Sequence, residues 1–224
     1  MAVVRSLAPD VIEAVLRLDD PPRLEFEAGQ WISIPFGPKI VRAYSIASIP
    51  GSPDLITLAA DVEPGGLGSA WFRGLRPGTV VHFKGPLGGF IVERSDPRHL
   101  LFVAEEIGIV PIRSILSDLQ ATGDRRPAQL AYWARRSSGL VYDAEFRALA
   151  RCAPGFAYHP LVGAADPAAA PGPEALGALV DRLTPSVENL VAYVAGGERT
   201  IHRVRGLLVA KGLTRKAVRW EKFW

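Results

Sequence analysis

Apolar and polar residues alternate in short runs along the first 96 residues, and glycine and proline break the runs. The segments "DVIEAVLRLD" (10–19), "QWISIPF" (30–36), "VRAYSIAS" (41–48), "LITLAADV" (55–62) and "VVHFKG" (80–85) are rich in β-branched and aromatic residues. That pattern predicts strands, and the opening "MAVVRSLAPDVIEAVLRLDD" alternates in the same way. Turn chemistry separates the runs, in "DDPPR", "FGPK", "IPGSPD", "EPGG" and "RPGT". "GGLGSAWFRGL" has room only for a short helix. Many strands without a long helix predict a small antiparallel barrel.

From "DPRH" onward the period changes. "HLLFVA" (99–104) reads as a buried strand and "IVPIRSILSDLQA" (109–121) as a helix. "AQLAYWA", "FAYHPLVG" and "NLVAYVAG" continue the strands, with "YDAEFRALARC", "GPEALGALVDRL" and "ERTIHRVRGLLVAKG" as helices between and after them. Strand–helix alternation at this spacing implies right-handed crossovers and a parallel sheet. The expected organisation is a β domain over residues 1–96 and an α/β domain over residues 97–224. "GAADPAAAPGP" (163–173) reads as a surface loop inside the second domain.

Composition removes several function classes. The chain has 224 residues and 48% hydrophobic content, enough for a real core. Its 26 Lys and Arg against 23 Asp and Glu give a net charge of +3, too mild for a general nucleic-acid binder. No apolar stretch approaches the roughly 20 residues that span a bilayer, and the start lacks the layout of a signal peptide. The lone Cys152 excludes an internal disulfide, a cysteine-based zinc site and an iron–sulfur cluster held within this chain. The histidines at 82, 99, 159 and 202 show no metal-ligand spacing. The expectation is a soluble, cytoplasmic protein without a metal site.

Two segments of the β half carry candidate chemistry. On the strand "VRAYSIAS", Arg42 and Tyr44 share one face and Ala43 and Ser45 the other. An arginine fork clamps a phosphate and a tyrosine stacks on a flat ring. In "EPGGLGSAWF", Gly65, Gly66 and Gly68 let backbone N–H groups approach a ligand, and Ser69 is placed to cap the short helix that follows. The glycines and Ser69 together make either an anion site at a helix N-terminus or a plain Gly-rich hairpin loop. "GPLGGF" (85–90) adds a further tight turn.

In order, "RAYS", "GGLGS", "GPLGGF", "GIVPIRSIL", "YWARRSSGLVYDAEF", "YVAGGERTI" and the terminal "WEKF" resemble the ferredoxin–NADP reductase family of flavoproteins. The resemblance covers nearly the whole chain. It implies a two-domain β plus α/β fold, an antiparallel Greek-key β-barrel that binds FAD followed by a Rossmann-like parallel-sheet domain that binds NAD(P)H. Carried over by motif, Arg42 would pair with the FAD pyrophosphate, Tyr44 would pack on the isoalloxazine and Ser45 would lie near the hydride-accepting nitrogen. Gly66, Gly68 and Ser69 would hold the pyrophosphate. Glu221 and Phe223 match the acidic and aromatic residues near the flavin ring in that family, with Trp224 beside them. Arg135 falls where family members contact the adenosine portion of the nucleotide.

The nicotinamide side departs from the family pattern. A Gly/Thr-rich turn is replaced by "AEEIG", which carries Glu105, Glu106 and Gly108, and a Cys-Gly-Pro element is replaced by Ala195, Gly196 and Gly197. A carboxylate where a phosphate should rest would repel it by about 4 kcal/mol for charges ~4 Å apart at an effective dielectric of about 20. The dipole of the following helix would stabilise that carboxylate in place of the missing anion. Two outcomes stay open: weakened NAD(P)H binding, or glutamates that turn away and leave the nucleotide its place. "RRSSG" (135–139) offers Arg135 or Arg136 to a 2′-phosphate, or is a plain solvated loop. Asp143 and Glu145 read as solvated helix residues, and Trp31, Trp71 and Trp133 as core.

The resemblance implies a flavoprotein that passes electrons between NAD(P)H and a separate protein, such as a ferredoxin, flavodoxin or oxygenase component. Two other readings stay open: a flavin module fed by a partner subunit, and a non-catalytic nucleotide-binding regulator. The ending "AGGERT…RWEKFW" is also similar to siderophore-interacting ferric reductases.

Overall fold

A computed structural model describes residues 3–52, 54–163 and 172–223. They form two compact units, Met1–Val92 with Val110–Asp124, and Glu93–Ile109 with Arg125–Trp224.

The first unit contains strands β1 (Val3–Ala8), β2 (Val11–Arg17), β3 (Trp31–Pro35), β4 (Val41–Ser45), β5 (Leu55–Asp61) and β6 (Lys84–Leu87), with helix α1 (Leu67–Gly74) between the last two. They pair as two antiparallel three-stranded sheets, β1-β2-β5 and β4-β3-β6. The antiparallel bridge between Ile46 and Leu58 joins the sheets, so the strands follow the order 1-2-5-4-3-6 of a Greek-key barrel. Alternate side chains of each strand turn inward. Ile32, Ile34, Ile56 and Leu58 fill the interior with Phe72 from α1.

Two strand expectations change in detail. The opening alternation belongs to two strands, because Pro9 and Asp10 fold β1 and β2 into an antiparallel pair. The strand expected at 80–85 is displaced to Lys84–Leu87. Val81 and Phe83 pack against the core while Val80 is 77% exposed, so the alternation there reports burial without a ladder of hydrogen bonds. Helix α2 (Ile109–Ala121) packs mainly with this unit. There the Arg113 guanidinium donates to the Ala47 carbonyl at 2.8 Å, and the Ser114 hydroxyl to that of Ser48 at 2.7 Å.

The second unit is built on a five-stranded parallel sheet of β7 (His99–Glu105), β8 (Ala128–Ala134), β9 (Phe156–Val162), β10 (Leu190–Gly196) and β11 (Val218–Lys222). The order is β11-β10-β7-β8-β9. Its helices are α3 (Asp143–Cys152), α4 (Gly172–Leu183) and α5 (Glu198–Ala210). β10 is buried along its whole length and β7 beyond its first residue, as unbroken apolar runs in a parallel sheet require. Leu101, Val103 and Val194 pack with Leu176 and Val180 of α4 and Ile201 and Val204 of α5.

β11 is a strand that periodicity did not predict, since "VRWEK" carries charges on a sheet edge. Asp143 is not merely solvated: it accepts hydrogen bonds from the Tyr158 hydroxyl at 2.9 Å and from Arg147 Nε at 2.7 Å. Most of the loop expected at 163–173 lies outside the described residues, and α4 begins at Gly172. The chain runs outward from β7 through β8 to β9, then returns to β10 on the other side of β7. Strand order therefore reverses between β7 and β10. Sheets of this type place ligands beyond the carboxyl ends of strands at such a reversal.

Candidate functional site

The barrel gathers Arg42, Tyr44, Gly66, Gly68 and Ser69 around β4 and the start of α1. Tyr44 is half-buried and stacks on Trp71, with ring centroids 5.9 Å apart at 28°, while Phe72 meets it edge-on at 5.1 Å. Burial pushes the Tyr44 phenol up to about 12, and the neighbouring Arg42 charge opposes that shift. A Cβ on Gly68 would lie 2.5 Å from the Tyr44 hydroxyl, so only glycine lets α1 approach the tyrosine this closely. Ser45 is buried and pairs in register with Trp31. Arg42 is exposed, and its Nη1 donates to the Val41 carbonyl at 3.0 Å.

The start of α1 suits an anion. Gly66 is the N-cap, in extended conformation, and supplies no side-chain cap. The first turn carries no acidic residue. The first amides of a helix have no partner within it, and a Cβ on Gly66 would meet nothing within 4 Å. The expected capping by Ser69 is corrected: Ser69 is the third residue of α1 and is buried, because the helix begins at Leu67. An exposed guanidinium, a tyrosine ring held by Trp71 and an uncapped helix start fit a ligand with a flat ring and a pyrophosphate. FAD is such a ligand. Trp71 packs against the barrel core, as read from the sequence, and in addition backs the Tyr44 ring. Its spacing from Ser69 gave no sign that it would back the tyrosine.

The other predicted residues meet at the carboxyl edge of the parallel sheet. The Glu105 side chain is 9% exposed, and its Oε2 accepts the backbone N–H of Gly197 at 2.9 Å. Gly197 is the N-cap of α5, so the helix whose positive end receives this carboxylate is α5 and not α2. This corrects the expectation that Glu105 stands in for an anion at α2. Gly196 makes room for it: a Cβ there would lie 2.8 Å from Glu105 Cβ and 3.0 Å from Oε2. Glu106 turns the other way, and its Oε1 accepts the backbone N–H of Arg135 at 2.8 Å, just past β8.

Gly108 lies in a single 3-10 turn over residues Glu106–Gly108, where a Cβ would strike the Ala195 carbonyl oxygen. Ala195 pairs with Ala104 of β7 on one side and Glu221 of β11 on the other. The Phe223 amide donates to the Gly196 carbonyl at 3.0 Å, which ties the end of the described chain to β10. Glu221 and Phe223 therefore neighbour Ala195 and Gly196. Trp224 lies outside the described residues. Gly197 and Gly139 complete this edge through their backbones; the sequence marked Gly197 as part of the altered Cys-Gly-Pro element, but gave Gly139 no role beyond its place in "RRSSG".

Among the described residues no group of acidic, histidine or cysteine side chains is placed to hold a metal ion. None of their helices is long and apolar enough to cross a membrane.

Comparison with known proteins agrees with this architecture. Residues 1–91 match the oxidoreductase FAD-binding domain family. Ferredoxin–NADP reductase B of Sorangium cellulosum (strain So ce56) is 35% identical over 154 residues, covering 67% of this chain and 63% of that one. Terephthalate 1,2-dioxygenase reductase component 1 of a Comamonas species is 32% identical over 209 residues, covering 92% of this chain and 62% of the relative. A ferredoxin–NADP+ reductase from Neisseria gonorrhoeae, solved with bound FAD and NADP, superposes with a TM-score of 0.82 at 21% identity. That match covers 100% of this chain and 96% of the other, and it speaks for the fold. Over most of its length the chain is similar to a ferredoxin–NADP reductase and an oxygenase reductase component, and its residues 1–91 carry the match to the FAD-binding family. It spans about three fifths of the length of the two curated relatives, 63% and 62%.

Proposed function

We propose that the chain is an FAD-dependent oxidoreductase that passes electrons between NAD(P)H and a separate protein acceptor, such as a ferredoxin, a flavodoxin or an oxygenase component. The observation that carries the flavin half of this reading is the Tyr44–Gly68 approach. A glycine is required there for a half-buried tyrosine to sit beside an uncapped helix start. The acceptor class is drawn from the relatives, which are named as a ferredoxin reductase and as an oxygenase reductase component.

In this reading residues 1–96 form the flavin domain and residues 97–224 the nucleotide domain. Arg42 neutralises the cofactor's pyrophosphate, the amides at Gly66, Gly68 and Ser69 donate to it, and Tyr44 presents its ring to the isoalloxazine. By the family resemblance, Ser45 would lie near the ring's hydride-accepting nitrogen. Trp71 stacks on Tyr44 and supports its ring from one side. When bound, a flavin exchanges two-electron for one-electron chemistry while the protein supplies orientation and electrostatics. Arg135, at the end of β8, addresses the adenosine portion of the nicotinamide nucleotide.

The test is direct. The purified chain, loaded with FAD if needed, should show flavin absorbance, release FAD and not FMN, and bleach on anaerobic mixing with NADH or NADPH. The reduced protein should then reduce a ferredoxin. A protein that stays colourless after incubation with FAD, or a flavin that neither nucleotide bleaches, overturns the reading.

A further inference from the structure

Glu106 has a backbone φ of +49°, a left-handed conformation that non-glycine residues seldom adopt. The turn sends its carboxylate to the loop after β8. Oε1 accepts the Arg135 N–H at 2.8 Å, and Arg135 Nε lies 3.8 Å from the same oxygen. Oε2 faces Gly139, where a Cβ would come within 3.4 Å of it. The loop itself is anchored, since the buried Tyr132 hydroxyl donates to the Gly139 carbonyl at 2.9 Å. A fixed carboxylate and a guanidinium thus share the carboxyl end of the second strand of the parallel sheet.

In dinucleotide-binding sheets that point decides between two cofactors. An acidic side chain there accepts a hydrogen bond from a free ribose 2′-hydroxyl, whereas an arginine accommodates a 2′-phosphate. Here the acid is delivered from the neighbouring strand β7, and it lies against the arginine whose charge would otherwise attract the phosphate. We propose that Glu106 makes this site selective for the nucleotide with a free 2′-hydroxyl, NADH over NADPH, by offsetting Arg135 and repelling a 2′-phosphate. The inference rests on the reading that a nicotinamide nucleotide binds this sheet edge.

Calorimetry on the full chain with AMP and with 2′-phospho-AMP tests it without the flavin reaction. The wild type should bind AMP more tightly. Glu106→Gln, which keeps an acceptor for the Arg135 N–H, should move the affinity ratio toward 2′-phospho-AMP by about tenfold, or ~1.4 kcal/mol. Glu106→Asn should give the same shift while tolerating the positive φ better. The NADPH-to-NADH ratio of kcat/KM for flavin reduction should move the same way. A wild type that prefers 2′-phospho-AMP, or a ratio unchanged in both variants, overturns the inference and leaves nucleotide binding standing. Failure of both ligands to bind any variant overturns the nucleotide reading itself, and the inference with it.

Discussion

Glu105 joins the two strands between which the sheet reverses its order: its carboxylate, at the end of β7, holds the N–H of Gly197 at the start of α5, 2.9 Å away. Both partners are buried. Glu105→Ala leaves that amide without an acceptor, and a buried unsatisfied group costs about 1–3 kcal/mol. Glu105→Gln keeps an acceptor and loses only the favourable charge at the helix terminus, about 0.3–1 kcal/mol. Urea unfolding should therefore rank wild type above Gln and Gln above Ala. Equal midpoints for Ala and wild type would show that the bond contributes nothing.

Gly68→Ala should lower flavin retention, because its methyl group collides with the Tyr44 hydroxyl at 2.5 Å. The double variant Gly68→Ala with Tyr44→Phe removes the colliding oxygen and should recover part of the loss. The flavin-to-protein absorbance ratio after gel filtration reads both effects. No recovery in the double variant would place the damage in the helix start and not in the tyrosine contact.

Arg42→Ala should weaken FAD binding by about 1.5–3 kcal/mol, the range for a charged hydrogen bond, or roughly tenfold to a hundredfold in Kd. Added salt should weaken the wild type more than the variant, since an exposed charge pair is screened. Full occupancy and an unchanged salt dependence in Arg42→Ala would remove the arginine from the pyrophosphate site.

The Tyr44 phenol ionises at about 12 in the fold against an ordinary 10.0, so the fold favours the neutral, protonated form. Its contribution to stability is fully present below pH 10.0 and is lost as pH rises through about 12. A phenolate titration by ultraviolet absorbance should show one late-ionising tyrosine fewer in Tyr44→Phe. A late phase of unchanged size in that variant would assign the shift to other tyrosines.

The sequence revealed most of what depends on periodicity and little of what depends on backbone direction. The strands of the parallel sheet were readable because burial on both faces leaves long apolar runs, as in "HLLFVA" and "NLVAYVAG". Edge strands β6 and β11 were misplaced or missed. Edges are held by few partners, so their side chains follow no strict alternation. The motif residues of the barrel lie around β4 and α1, but Ser69 does not cap the helix: Gly66 is the N-cap and Ser69 stands three residues beyond it. The two glutamates were located and their directions were not. Those directions follow from the positive φ of Glu106 and from the register that sets Ala195 beside Ala104, and neither leaves a mark in residue type.

Gly196 and Glu105 claim one volume, and this constrains how the sheet edge can change by mutation. A methyl group at 196 would sit 2.8 Å from Glu105 Cβ, so Gly196→Ala alone forces either strand β10 or the carboxylate to move. Glu105→Gly empties the space first, and Gly196→Ala should then be accepted at little further cost, a coupling that a double-mutant cycle measures. The order of steps therefore matters for any lineage or engineer reshaping this edge. A bulkier turn after β10 is reachable only through a variant that has already given up the carboxylate. Until that happens, the buried acid at 105 holds its neighbour to glycine.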